Sequence, residues 1–199
     1  MLMRNLVLGF CLAVFAGPSF AIEIEKVDVP DTITVHGKTL KLNGSAIRLA
    51  DRFGLTFKVY VGALYAEKTS TDASALLNSE DVRSLKMTFL RRVGKDDVTE
   101  PVRTGVIENC KGIMEPAKCE PVRAALKPLL DKMPDMFNKS TIQYYFFKDR
   151  VEFEVNGREK VKGTLTGAEV SKSLLALWLG HKPPSAKMKE DLLGASSKK

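Results

Sequence analysis

Residues 46–65 read Ala46-Ile-Arg-Leu-Ala-Asp-Arg-Phe-Gly-Leu-Thr-Phe-Lys-Val-Tyr-Val-Gly-Ala-Leu-Tyr65 and predict a β-hairpin. Apolar residues in its second half alternate with other residue types at a period of two, which is typical of a strand with two unlike faces. Antiparallel pairing has to place the apolar residues of both strands on one face, so we pair Arg48 with Lys58 across a turn at residues 51–54. In this register Tyr60 is a diagonal neighbour of Arg48, about 7 Å away between Cα atoms.

Arg48 and Tyr60 together suit the binding of one anionic or carbonyl oxygen. The guanidinium offers a fork of N–H donors that matches a carboxylate, and the phenol adds one O–H donor. Lys58 lies on the same predicted face and is a third candidate ligand-binding residue. The alternative is that these three residues coat a solvated face of the sheet, as charged strand residues usually do.

Strand and helix patterns follow one another along the rest of the chain. Thr71 is the predicted cap of the first helix, and Thr166-Gly-Ala-Glu169 has the pattern of a capping box for a later one. This order of elements predicts an α+β fold in which helices pack on a mainly antiparallel sheet. The predicted strands span residues 22–29, 32–35, 38–49, 55–66, 83–91, 141–147, 150–155 and 159–165.

The first 21 residues have the pattern of a secretory signal peptide. Arg4 supplies a positive charge, residues 6–17 form an apolar run, and Ser19-Phe20-Ala21 matches a small-x-small cleavage site. The run is too short for an ordinary membrane span, and an uncleaved anchor is the alternative. We therefore expect cleavage after Ala21, export to a bacterial periplasm, and one domain over residues 22–199.

Composition limits the classes of partner. The chain has 44% hydrophobic and 28% charged residues, which fits a folded globular protein rather than a disordered one. Its net charge of +7 suits an anionic ligand or contact with a membrane surface. The basic residues are spread along the chain without interleaved aromatic residues, so nucleic acid is not an expected partner.

Cys110 and Cys119 are the two cysteines that follow the predicted cleavage site. In an oxidising compartment we expect them to form a disulfide, with two free thiols or a metal pair as the alternatives. A metal site is not expected, because His36 and His181 lie far away in sequence and no second ligand pair has suitable spacing. No cofactor is expected either.

Three segments of the sequence carry a resemblance to a known family. They are Lys41-Leu-Asn-Gly-Ser-Ala-Ile-Arg48, Phe57-Lys-Val-Tyr-Val-Gly-Ala-Leu-Tyr65, and Val170-Ser-Lys-Ser-Leu-Leu-Ala-Leu-Trp-Leu-Gly180 followed by Pro183-Pro-Ser-Ala-Lys-Met-Lys-Glu-Asp-Leu-Leu-Gly194. Together they resemble the chalcone isomerase-like family, particularly its exported bacterial branch. This resemblance implies an open-faced β-sandwich, in which a large, mainly antiparallel sheet and a helical layer on one face enclose an apolar cleft.

The family contains isomerases of plants and fatty-acid-binding relatives. The resemblance aligns an isomerase arginine with Arg48 and an isomerase threonine with Tyr60, and it places an active-site asparagine near Asn109. The isomerases also use a tyrosine from the region that resembles residues 85–109, which contains no tyrosine here, and a hydroxyl residue where this chain has Leu177. Loss of these two donors would weaken isomerase chemistry severely, because each such group typically contributes about a hundredfold or more.

The fatty-acid-binding relatives use an arginine and a tyrosine to hold a carboxylate. The resemblance therefore implies a non-catalytic protein that binds a fatty acid or similar apolar carboxylate, with Arg48 and Tyr60 at the head group. An isomerase (intramolecular lyase) acting on an enone through Arg48, Tyr60 and Asn109 is the first alternative. An envelope interaction module with a positive face for an acidic partner or lipid surface is the second.

Overall fold

The computed structural model describes residues 21–194 of the 199-residue chain. Residues 1–20 of the predicted signal peptide lie outside this part, so cleavage and export stay predictions. The strands are β1 (Ala21–Ile24), β2 (Val27–Pro30), β3 (Thr32–Val35), β4 (Lys38–Arg52), β5 (Leu55–Ala66), β6 (Arg83–Phe89), β7 (Thr141–Phe146), β8 (Arg150–Asn156) and β9 (Lys160–Thr166). The α-helices are α1 (Ala73–Asn78), α2 (Lys95–Lys111), α3 (Cys119–Lys132), α4 (Ala168–Leu179) and α5 (Ala186–Leu192). None of these helices has the length and apolar character needed to span a bilayer.

Seven strands form one antiparallel sheet in the order β3-β4-β5-β6-β7-β8-β9, so each strand pairs with its neighbours in sequence. Helices α2 and α3 separate β6 from β7 along the chain, yet these two strands pair directly. Strands β1 and β2 form a separate two-stranded ribbon. The sheet and its helical layer confirm the predicted α+β fold.

An apolar core lies on each face of the sheet. The larger core lies under the helices and includes Leu85, Val106 and Leu174, whereas the smaller one lies under the β1–β2 ribbon and includes Val61 and Tyr65. Helix α4 contacts each of the other four helices as well as β8 and β9, and most of its side chains are buried. A helix that is apolar on most sides is expected in such a position.

The predicted disulfide between Cys110 and Cys119 is present, with 5.9 Å between the two Cα atoms. It joins the last turn of α2 to the first residue of α3 across a 3-10 turn at Pro116–Lys118. Both cysteines are fully buried in the larger core.

The register of the β4–β5 hairpin differs from the predicted one. Arg48 pairs directly with Tyr60, and Lys58 pairs with Leu49. Two features cause the difference. The turn contains only Phe53 and Gly54, and a β-bulge at the step from Arg48 to Leu49 adds one residue to β5. The bulge changes which residues share a face, so the side chains of Lys58 and Tyr60 no longer lie together.

Three further predictions at element boundaries are wrong, one for a strand and two for helix caps. The predicted strand at residues 22–29 is divided by a turn in which Glu25 and Lys26 have φ values of 52° and 61°. These residue types do not favour positive φ, so the sequence carried no turn signal there.

Helix caps also differ from the sequence-based expectation. Asp72, rather than Thr71, caps α1, and its carboxylate accepts a hydrogen bond from the Ser74 amide at 2.8 Å. Thr166 is the last residue of β9, and α4 begins after Gly167 without a side-chain cap. The capping box is therefore absent, because the strand continues through the residue that would have formed it.

Candidate functional site

A cavity of about 700 Å³ lies between the helix-covered face of the sheet and helices α2 and α4. Strands β4, β5, β6 and β7 contribute to its wall, as does the segment that links α4 to α5. The apolar part of the wall includes Val59, Met87, Phe89, Val102, Leu177 and Trp178.

Arg48 and Tyr60 both lie on the wall of this cavity. Their direct backbone pairing brings them closer together than the predicted diagonal arrangement would. A guanidinium N–H of Arg48 donates to the carbonyl oxygen of Leu49. No carboxylate among residues 21–194 lies within ion-pair distance of the half-buried Arg48, so its remaining N–H donors are available to an anion.

The hydroxyl of Tyr60 is oriented by Trp178. The indole N–H of Trp178 donates to the Tyr60 hydroxyl oxygen at 3.1 Å, and the Tyr60 ring packs against Phe89 with 5.6 Å between ring centroids. Because its oxygen accepts from Trp178, the Tyr60 hydroxyl is left to donate its own proton. Its only other hydrogen-bond partner among the described residues is the Met188 sulfur at 4.0 Å, which is a weak acceptor.

Burial raises the pKa of Tyr60 above its ordinary value, whereas the Trp178 hydrogen bond and the positive charge of Arg48 act in the opposite direction. Tyr60 is therefore a neutral O–H donor at neutral pH. A guanidinium and a neutral phenol side by side form a donor set for a carboxylate or a polarised carbonyl.

Tyr144 adds a second tyrosine to the cavity wall. Because side chains alternate between the two faces of a strand, at most one of Tyr144 and Tyr145 can reach the cleft. Tyr144 faces the cavity, fully buried and 5.8 Å from the Trp178 ring centroid, whereas Tyr145 packs at the smaller core on the other face. The Tyr144 hydroxyl has no hydrogen-bond partner within the described part of the chain. Burial raises its pKa, so it too stays protonated.

Two sequence-predicted site residues lie outside the cavity wall. Lys58 lies beyond the bulge and its ammonium group contacts the Glu25 carboxylate at 2.6 Å, in the turn of the β1–β2 ribbon. Asn109 is fully buried, and its amide is hydrogen-bonded to the backbones of Gly105 and Lys182. Asn109 therefore holds the segment after α4 against α2, and neither side chain joins Arg48.

Cationic side chains surround the mouth of the cavity, which is formed by the β4–β5 turn and by the residues after β6 that run beside β5. The Arg91 guanidinium lies over the Phe57 ring at 4.3 Å from its centroid. Arg52 and Arg92 also line the mouth, each within ion-pair distance of a carboxylate. Sequence reasoning missed these residues. The adjacent pair Arg91-Arg92 directly after an apolar strand was the one available signal.

The chemistry of this wall is that of an anion-binding pocket with apolar sides. The two polar side chains paired on its inner wall, Arg48 and Tyr60, are N–H and O–H donors at neutral pH. Among residues 21–194, no group of three or more His, Cys, Asp or Glu side chains is placed to hold a metal ion.

A comparison with solved structures finds a similar fold in a fatty-acid binding protein of Arabidopsis thaliana. The TM-score is 0.70 at 16% sequence identity, and the match covers 90% of this chain and 98% of that one. A comparison with curated protein sequences finds no match. A model of the family described as chalcone isomerase-like matches residues 21–194. The chain thus belongs to the chalcone isomerase-like family.

Proposed function

We propose that this protein binds a fatty acid or a similar apolar carboxylate in the cavity and does not convert it. The observation that carries the proposal is the direct pairing of Arg48 and Tyr60 on the wall of a cavity whose other surfaces are largely apolar. The carboxylate would accept hydrogen bonds from both side chains, and the acyl chain would contact the apolar wall.

The dimensions and polarity of the cavity support this ligand class. A volume of about 700 Å³ falls within the range of roughly 300–1,000 Å³ that small-molecule sites occupy. Such sites are mostly apolar with a few placed polar groups, as here. The fatty-acid binding function of the Arabidopsis protein with the same fold is consistent with the proposal.

The electrostatics favour a carboxylate over a neutral head group. Transfer of a carboxylate out of water is unfavourable unless charged or neutral donors replace its hydration. Arg48 provides a permanent positive charge that no described carboxylate neutralises. Tyr60, whose raised pKa keeps it protonated, provides a neutral donor beside it.

Binding of a long-chain acid and of the alcohol with the same chain tests the proposal. By calorimetry or thermal shift, we expect tight binding of the acid and much weaker binding of the alcohol. Arg48→Gln should reduce affinity for the acid about tenfold or more, because charged hydrogen bonds typically contribute about 1.5–3 kcal/mol. Lys58→Gln is the matched control, since it removes a cation from the same hairpin on the other side of the bulge.

Lipid extraction and native mass spectrometry of protein purified from the periplasm give a second test. Recovery of a bound acid would support the ligand class. Recovery of the protein itself in the periplasmic fraction would support the export expected from the signal-peptide pattern. Absence of any lipid, together with no thermal shift on addition of long-chain acids, would contradict the proposal.

An intramolecular lyase acting on an enone is a second candidate, favoured by one observation. Tyr144, from β7, lies on the same cavity wall, although residues 85–109 contain no tyrosine. In this scheme Arg48 would polarise the carbonyl and a tyrosine would donate to it. Decay of chalcone absorbance that Arg48→Ala abolishes would favour this candidate over non-catalytic binding.

A further inference from the structure

The β4–β5 hairpin carries most of the exposed large apolar side chains of the described residues. Four large apolar side chains among residues 21–194 are exposed, and three of them, Leu49, Phe53 and Leu55, belong to this hairpin. Phe53 is 95% exposed at the tip itself. Single exposed apolar residues are ordinary on a soluble surface, but a cluster at a projecting tip indicates a contact surface.

The backbone conformation of the turn is one that phenylalanine rarely adopts, which makes the presence of Phe53 unusual. Phe53 and Gly54 are the two central residues of the turn, with φ values of 54° and 74°. Two-residue turns of this kind favour Asn, Asp or Gly at both positions, because these residues tolerate positive φ. A phenylalanine at this position adopts a positive φ that its residue type disfavours, and it exposes its apolar ring to water. Both features indicate that the ring has another partner.

Cationic groups flank this apolar tip. Arg52 precedes Phe53, and Arg91 is exposed beside the same hairpin, without a carboxylate partner in the described part of the chain. Arginine is well suited to phosphate because its planar guanidinium donates several hydrogen bonds at once. An aromatic tip with arginines behind it has the composition of a surface that enters the interface of an anionic bilayer.

The same residues frame the entrance to the cavity. Arg52, Phe53 and Arg91 all line its mouth. We propose that the β4–β5 tip docks on an anionic lipid bilayer, with Phe53 among the lipids and Arg52 and Arg91 at their phosphates, so that the cavity opens toward the membrane. An apolar ligand would then pass between bilayer and cavity without crossing water. The docking is independent of the proposed function, whereas this exchange of ligand rests on it.

Vesicle co-sedimentation tests the docking. We expect the purified protein to bind vesicles of phosphatidylcholine mixed with phosphatidylglycerol, and to bind vesicles of phosphatidylcholine alone much less. Phe53→Asn introduces a residue that tolerates the positive φ of the turn, and it should reduce partition about tenfold, because transfer of a phenylalanine side chain from water to an apolar phase is favourable. Arg91→Gln should reduce partition about fivefold, as expected for one charge near an anionic surface.

Ile22→Asn is the matched control. Ile22 is also exposed, at 49%, but it lies in the β1–β2 ribbon, which packs on the face of the sheet opposite the cavity. This variant should sediment like the wild type, and circular dichroism should show that every variant is folded. Equal sedimentation of wild type and Phe53→Asn would overturn the proposal. So would self-association that depends on Phe53 in the absence of lipid, because a second copy would then be the partner.

The outcome also separates docking from the proposed function. Wild-type protein that sediments with anionic vesicles but binds no acid in vesicle-free solution would retain the docking and contradict the fatty-acid proposal. Protein that binds acids but sediments with neither kind of vesicle would support the fatty-acid proposal and contradict the docking.

Discussion

At the scale of single residues, the site depends on three aromatic side chains, of which two are joined by a hydrogen bond and the third has none within residues 21–194. Trp178 donates to Tyr60, which leaves the Tyr60 hydroxyl proton for a ligand. Tyr144 lies beside Trp178 with a buried hydroxyl that no described group satisfies. A buried hydroxyl without a protein partner is unfavourable by about 1–3 kcal/mol.

Removal of the two hydroxyls should therefore have opposite consequences for stability. Tyr60→Phe leaves the buried Trp178 N–H without its acceptor, and we expect a loss of about 1–2 kcal/mol in the free energy of unfolding. Tyr144→Phe removes no protein hydrogen bond, so the free energy of unfolding should stay equal or increase. Urea unfolding of ligand-free protein measures both, with Tyr145→Phe as the control on the other face. A large loss from Tyr144→Phe would contradict this account of its surroundings.

At the scale of secondary-structure elements, two contacts hold the helical layer that closes the cavity. The disulfide joins α2 to α3, and the end of α5 packs on β4. The second contact depends on Gly44 and Asn43, which lie at a register irregularity of β4. The Asn43 amide donates to the Leu192 carbonyl at 2.8 Å, so the bulged residue binds the helix that carries Met188 to the site.

Gly44→Ala should displace α5. A Cβ atom at this position would lie 2.6 Å from the Leu192 carbonyl oxygen and would also contact the Asp191 carbonyl, and backbone atoms cannot rotate away. We expect a loss of about 1–3 kcal/mol in the free energy of unfolding, as for other overpacked sites. Gly94→Ala is the control, because the nearest atom to its added Cβ would be 3.8 Å away. Equal unfolding midpoints for the two variants would contradict the close packing of α5.

Loss of the disulfide should destabilise the α2–α3 pair. The bridge closes a loop between positions nine residues apart, for which the chain-entropy argument gives about 2.5–3 kcal/mol. Cys110→Ser combined with Cys119→Ser should therefore lower the midpoint of urea unfolding, and a reductant should lower the wild-type midpoint to a similar value. If the reductant leaves the wild-type midpoint unchanged, the bridge is absent from the protein in solution.

At the scale of the whole molecule, the four tyrosines make the free energy of unfolding depend on pH in the alkaline range. The pKa of each of Tyr60, Tyr65, Tyr144 and Tyr145 is raised, chiefly by burial. A group with a raised folded-state pKa keeps its proton in the folded protein after the unfolded chain has lost it. Stability from these groups is therefore present below about pH 10, the ordinary tyrosine value, and falls as the pH rises above it.

We therefore expect unfolding and tyrosine ionisation to occur together above about pH 10. Absorbance of tyrosinate and far-ultraviolet circular dichroism, recorded on one sample during alkaline titration, should change in a single transition. Full tyrosinate absorbance near pH 10 with an unchanged circular dichroism spectrum would contradict the burial of these side chains.

Prediction from sequence succeeded where the signal is local. The period-two pattern at residues 46–65 identified a hairpin, and the cysteine spacing identified the disulfide. It failed at the register, because neither the bulge beside Arg48 nor a positive φ at Phe53 has a residue-type signal. For the same reason Lys58 was grouped with Arg48, although the bulge places it with Glu25.

The chain by itself determined its antiparallel α+β architecture, the pairing of its cysteines, and the presence of an arginine and a tyrosine on adjacent strands. Periodicity and short loops encode these features, because each depends on residues that are neighbours in sequence. Tertiary structure alone decided that Arg48 and Tyr60 face a cavity, that Tyr144 and Trp178 join them on its wall, and that arginines and Phe53 frame its mouth. These groups come from separate strands and helices, so only the packing of α2 and α4 on the sheet brings them together.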